Sequence, residues 1–427
     1  MVIYVVAPGD SLYSISRRYG VPTAKIIRDN ELNNPNRLVI GQTLVLLTDE
    51  VTYTVRRGDT IYSIARMYGI SVYDLLTANP QVQNPSIINP GLLLSIPVTI
   101  NEDLGNLAVN GYAFPNINMG VLWKTLPHLT YLSIFSYQIH NDGNLVDIDD
   151  EPLIAAARSA NVAPLMVITN MPEGGSFDSD LAHILLNDME VQNRLIENIV
   201  YTLETKNYFG LDVDFEYIFP EDRESYNAFL RKITDILHPL GYTVSTAVAP
   251  KLSGDQEGLL YEGHDYVVHG QIVDHVIIMT YEWGYTYGPP MAVAPINEVE
   301  KVIQYAVTAI PRDKILMGIP NYGYEWILPY EEGTAATTIT NVGAVDLAAR
   351  VGANIMFDEL SQAPYFNYYG SDGRQRVVWF EDARSIFAKL MLAGEYELEG
   401  VSYWTIGSFF PQNWMVLESL YDVVKML

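Results

Sequence analysis

The 427-residue chain contains no cysteine, which excludes disulfides, thiolate catalysis and zinc sites built on sulfur. The redox compartment stays open. Long apolar runs are also missing. The longest are strand-sized, such as Leu165 to Ile168 and Val276 to Met279, far short of the roughly 20 residues a membrane-spanning helix needs, so no membrane partner is expected. Basic residues are scarce beyond the first hundred positions. Residues 1–98 hold 8 Lys and Arg against 7 Asp and Glu, whereas the rest holds 17 against 44, within a net charge of −26. Such a field repels phosphate backbones, so nucleic acid is not an expected partner; the plain reading is a soluble, self-repelling surface. The N-terminus lacks a basic leader and meets the turn Pro8-Gly9-Asp10 too early for a secretory signal. No GxSxG elbow, P-loop or HExxH occurs. His264 and His269 are five apart with no ligand set around them, so they read as structural, and neither a metal nor a cofactor is expected.

What is present stands out at Gly210-Leu211-Asp212-Val213-Asp214-Phe215-Glu216-Tyr217. Side chains alternate between the faces of a strand, so Asp212, Asp214 and Glu216 share one face, while Leu211, Val213 and Phe215 share the other. Neighbouring acids are then about 6.6 Å apart, near enough to shift one another's pKa. Inward acids at the carboxyl end of a strand read as catalytic in a β/α barrel.

Residues 1–98 contain one unit written twice. Tyr4 matches Tyr53, Gly9 to Ile15 matches Gly58 to Ile64, and Asn30 matches Asn79 at an offset of 49; Asn34-Pro35 and Gly41 match Asn84-Pro85 and Gly91 at 50. Each copy, 1–48 and 51–98, reads as a βααβ unit with its first helix capped at Gly-Asp-Ser/Thr, and taken singly Asp10 and Asp59 are plain N-cap candidates. A short linker from Pro97 to Asn106 follows. The body, 104–427, alternates β-rich runs with helical stretches, as parallel β/α architecture does. Eight strands are expected at Leu107–Phe114, Tyr131–Tyr137, Pro164–Thr169, Gly210–Glu216, Thr243–Ala249, His275–Tyr281, Ile315–Pro320 and Gly400–Ile406, with helices such as Val191–Glu204, Arg223–His238 and Ile296–Ala309 between them. The fold class is therefore α/β, a (β/α)8 TIM barrel. One gap is too long, and Tyr324 to Arg376 is expected to form a small α+β lobe after strand seven, with Thr338–Thr340 and Val377–Phe380 strand-like.

The repeat resembles the LysM domain, whose modules bind N-acetylglucosamine-containing glycans in a shallow groove. The resemblance implies binding through Gly9, Asp10, Ser11, Leu12, Pro35 and Ile40 in the first copy, and Gly58, Asp59, Thr60, Ile61 and Pro85 in the second. Two weak sites would gain from effective concentration on a polymer. The body resembles glycoside hydrolase family 18, whose fourth strand carries DxxDxDxE. Asp212, Asp214 and Glu216 match, while Phe209 stands where the first Asp belongs; activity is expected to survive that departure with an altered pH optimum.

Met279-Thr280-Tyr281-Glu282-Trp283 is similar to the family's Met-x-Tyr-Asp at strand six, with Glu282 in the Asp place, and Tyr403-Trp404 sits where the family has a Trp flooring the sugar subsite. Substrate contact is thereby implied for Met279, Glu282 and Trp404, with Tyr112, Phe135, Asn321 and Tyr322 balanced between packing and sugar contact. The resemblance implies substrate-assisted retention, an exception to the two-carboxylate scheme: Glu216 as acid, Asp214 orienting the acetamido group, Tyr281 holding its oxygen and Asp212 behind Asp214. Paired LysM modules on this barrel, with His264-Asp265-Tyr266, Gly288 to Pro295 and Phe215 where chitinases commonly carry Trp, resemble spore-cortex-lytic N-acetylglucosaminidases of endospore-forming bacteria. That implies peptidoglycan as partner, a spore coat or cortex location, and a monomer. A chitinase or chito-oligosaccharide hydrolase, and a catalytically inactive lectin, are the alternatives.

Overall fold

The computed structural model describes residues 1–100 and 102–427. Eight parallel strands close into a barrel: β1 (Asn106–Ala113), β2 (Tyr131–Tyr137), β3 (Ala163–Thr169), β4 (Gly210–Asp214), β5 (Thr243–Val248), β6 (His275–Ile278), β7 (Ile315–Pro320) and β8 (Gly400–Trp404). Each pairs with the next, and β8 returns to β1 with Gly400 opposite Ala108 and Tyr403 opposite Gly111.

Alternation along the strands separates two cores. Ala108, Tyr112, Phe135, Leu165, Val167, Ala247, Ile277 and Leu316 fill the barrel interior. Residues of opposite parity, such as Leu211, Val213, Val244 and Met317, face the helices. The helix Met189–Lys206 answers with Leu195, Ile199 and Leu203, four apart on one stripe, and Ile196 beside them. Asp188 caps its start and Asn207, at φ 60°, ends it. The helices Arg223–Leu237 and Ile296–Ala309 also fill gaps where helical stretches were expected.

Five strands stop short of the expected ends: β1 at Ala113 rather than Phe114, β4 at Asp214 rather than Glu216, β5 at Val248 rather than Ala249, β6 at Ile278 rather than Tyr281, and β8 at Trp404 rather than Ile406. After β4 the Asn170 side chain takes up the Glu216 amide and carbonyl in place of a neighbouring strand, and after β6 the Thr280 and Tyr281 amides turn back onto the Ile278 and Met279 carbonyls. After strand seven a five-stranded antiparallel sheet is built from Gly323–Ile327, Thr337–Ile339, Met356–Asp358, Ala363–Tyr369 and Gln375–Trp379, with the helix Asn341–Val351 packed on it.

Each N-terminal repeat is a two-stranded antiparallel sheet with two helices, Val2–Val5 and Thr43–Leu46 in the first, Thr52–Thr54 and Leu93–Ser95 in the second. The matched asparagines have a common task. Asn30 bonds the Ile26 and Val45 carbonyls and the Val45 amide, and Asn79 does the same for Leu75 and Ser95, stapling the second helix to the closing strand. The cap expectation needs correcting by one residue. Ser11 and Thr60 are the N-caps, each in a reciprocal box with Ser14 or Ser63. Asp10 and Asp59 instead accept the Tyr4 and Tyr53 hydroxyls and the Ala7 and Arg56 amides, tying the loop to the first strand.

Candidate active site

The barrel's carboxyl end holds a cavity of about 590 Å³ lined by Asp214, Glu216, Tyr281, Glu282, Trp404, Tyr112, Phe135 and Met279, together with Phe177, Tyr217, Tyr261 and Tyr285. Asp212 lies beneath it, wholly buried. Tyr112 Oη donates to its Oδ2 at 2.6 Å and Ser245 Oγ to its Oδ1 at 2.7 Å, so one residue from β1 and one from β5 grip the β4 acid. Burial lifts the Asp212 carboxyl to about 6, against the pull of those two hydroxyls.

Asp214, at the last ladder position, is 4 % exposed, and its Oδ1 has no hydrogen-bond partner. Burial first, then the charges of Glu216 and Asp212, raise it far above the ordinary carboxylate range.

Glu216 keeps the parity of the row although it lies beyond the strand. Phe215 is driven the other way, its ring stacked at 5.9 Å on Tyr226 and 5.8 Å on Phe229 and fully buried, worth roughly 2 kcal/mol of apolar burial. Its neighbour must then face the cavity. Asn170, just after β3, completes the placement. Its Nδ2 donates to the Glu216 carbonyl at 2.8 Å and the Glu216 amide donates to its Oδ1 at 2.9 Å, one further ladder step made by a side chain. On the preceding residue, His264 Nε2 donates to the Phe215 carbonyl at 2.9 Å while its Nδ1 accepts the Ala249 amide at 3.0 Å. Burial drops His264 to about 4, so the ring is neutral and can play both roles. Burial and the Glu282 charge lift Glu216 to about 7.

Tyr281 faces the acids with its phenol held neutral, pushed well above its usual value by burial and by Asp214. Glu282, at φ 69°, accepts the Tyr322 and Tyr324 hydroxyls, which joins β6's loop to the flanking lobe. Trp404 is half-buried, its ring edge-on to Phe135 at 4.8 Å and Tyr112 at 5.4 Å. The site therefore offers an acid that titrates near neutral pH, a second acid with a free oxygen, a phenol donor and an indole wall. No Lys or Arg lines it, and among the described residues no cluster of three His, Asp or Glu is disposed to hold a metal.

Three sequence expectations need revision. Asn321 does not line the cavity; it is 7 % exposed and its amide is spent on the Thr405 and Ser408 carbonyls, tying β7 to the turn after β8. Tyr322 is likewise absent from the wall and acts through Glu282. Leu12 and Ile61, 8 % and 2 % exposed, are core residues of the repeats, so their side chains face no groove.

The other repeat positions lie at the surface in differing degree: Gly9, Ser11, Gly58, Thr60 and Pro85 are exposed, Asp10, Asp59 and Pro35 half-buried, and Ile40 is 36 % exposed. Phe209 packs near Tyr131, ring centroids 6.4 Å apart, among the barrel's interior residues, and Asp212 is fully bonded without it. Asn170 and Ser245 were missed by sequence reasoning. Their one signal is a polar residue in or directly after a fully buried strand.

The family model for glycosyl hydrolases family 18 matches residues 115–408, and the LysM domain model matches 4–46 and 53–97. The chain is 43 % identical to a cortical fragment-lytic enzyme of Bacillus subtilis (strain 168) over 100 % of this chain and 99 % of that one. Among solved structures it is similar to the spore cortex-lytic enzyme SleL of Bacillus cereus, at 40 % identity and TM-score 0.86 over 99 % of this chain and 98 % of that one. SleL of Bacillus megaterium QM B1551 matches at 40 % and 0.86 over 100 % and 99 %.

Proposed function

The chain belongs to glycosyl hydrolases family 18 and is a glycoside hydrolase with two LysM domains, and from that premise we propose that it is a retaining N-acetylglucosaminidase acting on spore cortex peptidoglycan or its fragments. The observation that carries this reading is the free, buried Oδ1 of Asp214 beside a Glu216 lifted to about 7.

Lifted to about 7, Glu216 keeps a proton available near neutral pH and gives it to the glycosidic oxygen. The unpartnered Asp214 oxygen accepts the substrate's acetamido N–H, aiming the acetyl carbonyl at the anomeric carbon; the acetyl carbonyl oxygen forms the new bond as the glycosidic bond breaks and the protonated leaving oxygen departs. The neutral Tyr281 hydroxyl donates to the acetamido oxygen. Water then opens the cyclic intermediate, with Glu216 taking its proton, and configuration is retained. Asp212, fixed by Tyr112 and Ser245, stays behind Asp214 and shares its charge, because adjacent buried carboxylates cannot all ionise. A lining without Lys or Arg suits an uncharged N-acetyl sugar. The LysM domains hold the chain on peptidoglycan or another N-acetylglucosamine glycan, and the names of the relatives favour the spore cortex, hence a spore-associated location.

Mass spectrometry of purified cortex digests tests this. Products ending in reducing N-acetylglucosamine are expected, and reducing muramic ends would refute it. Faster release from chitin than from cortex fragments would turn the assignment towards a chitinase. Substantial turnover by Glu216→Gln would remove Glu216 as the acid, and equal rates on glycans lacking the acetyl group would remove substrate assistance.

A further inference from the structure

The two repeats share a fold and differ in what covers them. In the first, the segment entering the closing strand is fastened to the barrel and its lobe. Val39 is 5 % exposed in a cluster with Leu347, Ile355 and Phe380. The Ile355 amide donates to the Ile40 carbonyl at 2.9 Å and the Arg384 guanidinium to the Gly41 carbonyl at 3.3 Å. Thr43 Oγ1 donates to Gln412 Oε1, and Gln412 Nε2 returns a bond to the Thr43 carbonyl, both at 2.7 Å. Asn33 to Asp346 at 2.9 Å and Lys124 to Glu31 at 2.7 Å extend the seam.

The matching segment of the second repeat is open. Asn89, Pro90 and Gly91 are exposed, and two aliphatic side chains, Ile87 and Leu93, are 67 % and 57 % exposed. Among the described residues, 51–98 make no hydrogen bond or ion pair to the barrel. They lean on the first repeat, where Tyr68 meets Tyr19 edge-on at 5.7 Å and donates to the Arg18 carbonyl at 2.9 Å. Sequence order and spatial order are thus reversed: the repeat adjoining the barrel in the chain is the outer one.

We propose that the repeats have divided their labour, the first serving as a rigid adaptor docked on the catalytic unit and the second alone presenting the loop face that grips an N-acetylglucosamine polymer. This rests on the LysM reading above. The aliphatic Ile87 and Leu93 have no packing role to explain them, and they suit the C–H face of a pyranose and an acetyl methyl. In the first repeat the corresponding positions are Arg37, which is charged, and Thr43, which is 3 % exposed against Gln412. A glycan held by the outer repeat is presented to a barrel whose orientation the inner repeat sets.

Gly41 and Gly91 provide a matched pair. Both have left-handed backbones, φ +87° and +91°, so an added methyl strains each alike; at 41 it would lie 1.8 Å from the Ile355 carbonyl oxygen, whereas at 91 nothing lies within 4 Å. Gly41→Ala is expected to lower the melting temperature several degrees more than Gly91→Ala, and equal shifts would overturn the docked adaptor. For the grip, the full chain carrying Glu216→Gln is sedimented with insoluble peptidoglycan sacculi. Ile87→Ala with Leu93→Ala is expected to weaken binding about tenfold, and Arg37→Ala with Ile40→Ala by less than about twofold. Equal loss in the two pairs, a larger loss in the first, or no loss in either while the parent still sediments, overturns the division. If the parent does not sediment at all, the LysM reading itself fails.

Discussion

Asn170→Ala separates holding the acid in place from merely holding the barrel together. The side chain makes three hydrogen bonds to backbone, to the Asp178 carbonyl at 3.0 Å and to both polar groups of Glu216 at 2.8 and 2.9 Å, and it is fully buried. Each such bond contributes about 1 kcal/mol net, and the buried groups left unpaired add to the loss, so about 2–4 kcal/mol of stability should disappear. The control is Asn79→Ala in the second repeat. Asn79 makes the same pattern, two carbonyls at 2.8 and 2.6 Å and one amide at 2.9 Å, remote from the cavity. Both variants should therefore unfold at lower urea by similar amounts. They should differ in turnover. Without Asn170 the peptide of Glu216 loses the side chain that stands in for a ladder partner, and a displacement of about 1 Å at a catalytic group costs about 10²-fold. That loss should fall in kcat rather than KM, measured on soluble cortex fragments at temperatures where both variants are folded. Asn170→Asp keeps the acceptor for the Glu216 amide but sets a carboxylate against two carbonyls, so it should not rescue. If Asn170→Ala stays within about twofold of the parent while losing stability like Asn79→Ala, the positioning role is wrong.

With Glu216 as the proposed acid, lifted to about 7, kcat/KM should fall as pH rises through about 7; Glu282→Gln, which removes the charge that helps raise it, should move that limb to lower pH, and an unmoved limb would refute the coupling. Asp212 binds its proton more tightly folded than unfolded, about 6 against an ordinary 3.8, so its contribution to stability is full below 3.8 and is lost as pH rises through 6. Asp212→Asn should therefore raise the melting temperature relative to the parent at pH 8 and lose that advantage at pH 4, while activity falls; an advantage independent of pH would contradict the linkage. Phe209→Asp, which restores the family residue, should cost about 1–3 kcal/mol by placing a carboxylate in a half-buried site beside Tyr131, with no gain in activity, since Asp212 already has both oxygens bonded; higher turnover would show that the missing acid mattered.

The barrel and its acids were legible because they are written in local periodicity. Burial on both sides of a parallel strand makes Asp212 and Asp214 conspicuous in an apolar run, and parity alone places Glu216 with them even though the ladder ends first. The repeat was legible for the same local reason, since capping residues, loop prolines and Asn30 with Asn79 recur at a fixed offset.

Other features are pairings between distant positions, which no window along the chain contains. Asn170 meets Glu216 across 46 positions, His264 meets Phe215 across 49, and Gln412 meets Thr43 across 369. Asn321, balanced in the sequence between packing and sugar contact, falls on the packing side only once the Thr405 and Ser408 carbonyls take up its amide. Leu12 and Ile61 were misjudged because a loop motif does not say which of its side chains turns inward.

From the order of its residues alone the chain determined which elements form, which strand bears the acids and that a module is repeated, since propensity, capping and alternation act between near neighbours. Tertiary structure decided how the acid is held, how its proton affinity is set and which repeat is covered, since desolvation and hydrogen bonding depend on what arrives from elsewhere in the chain.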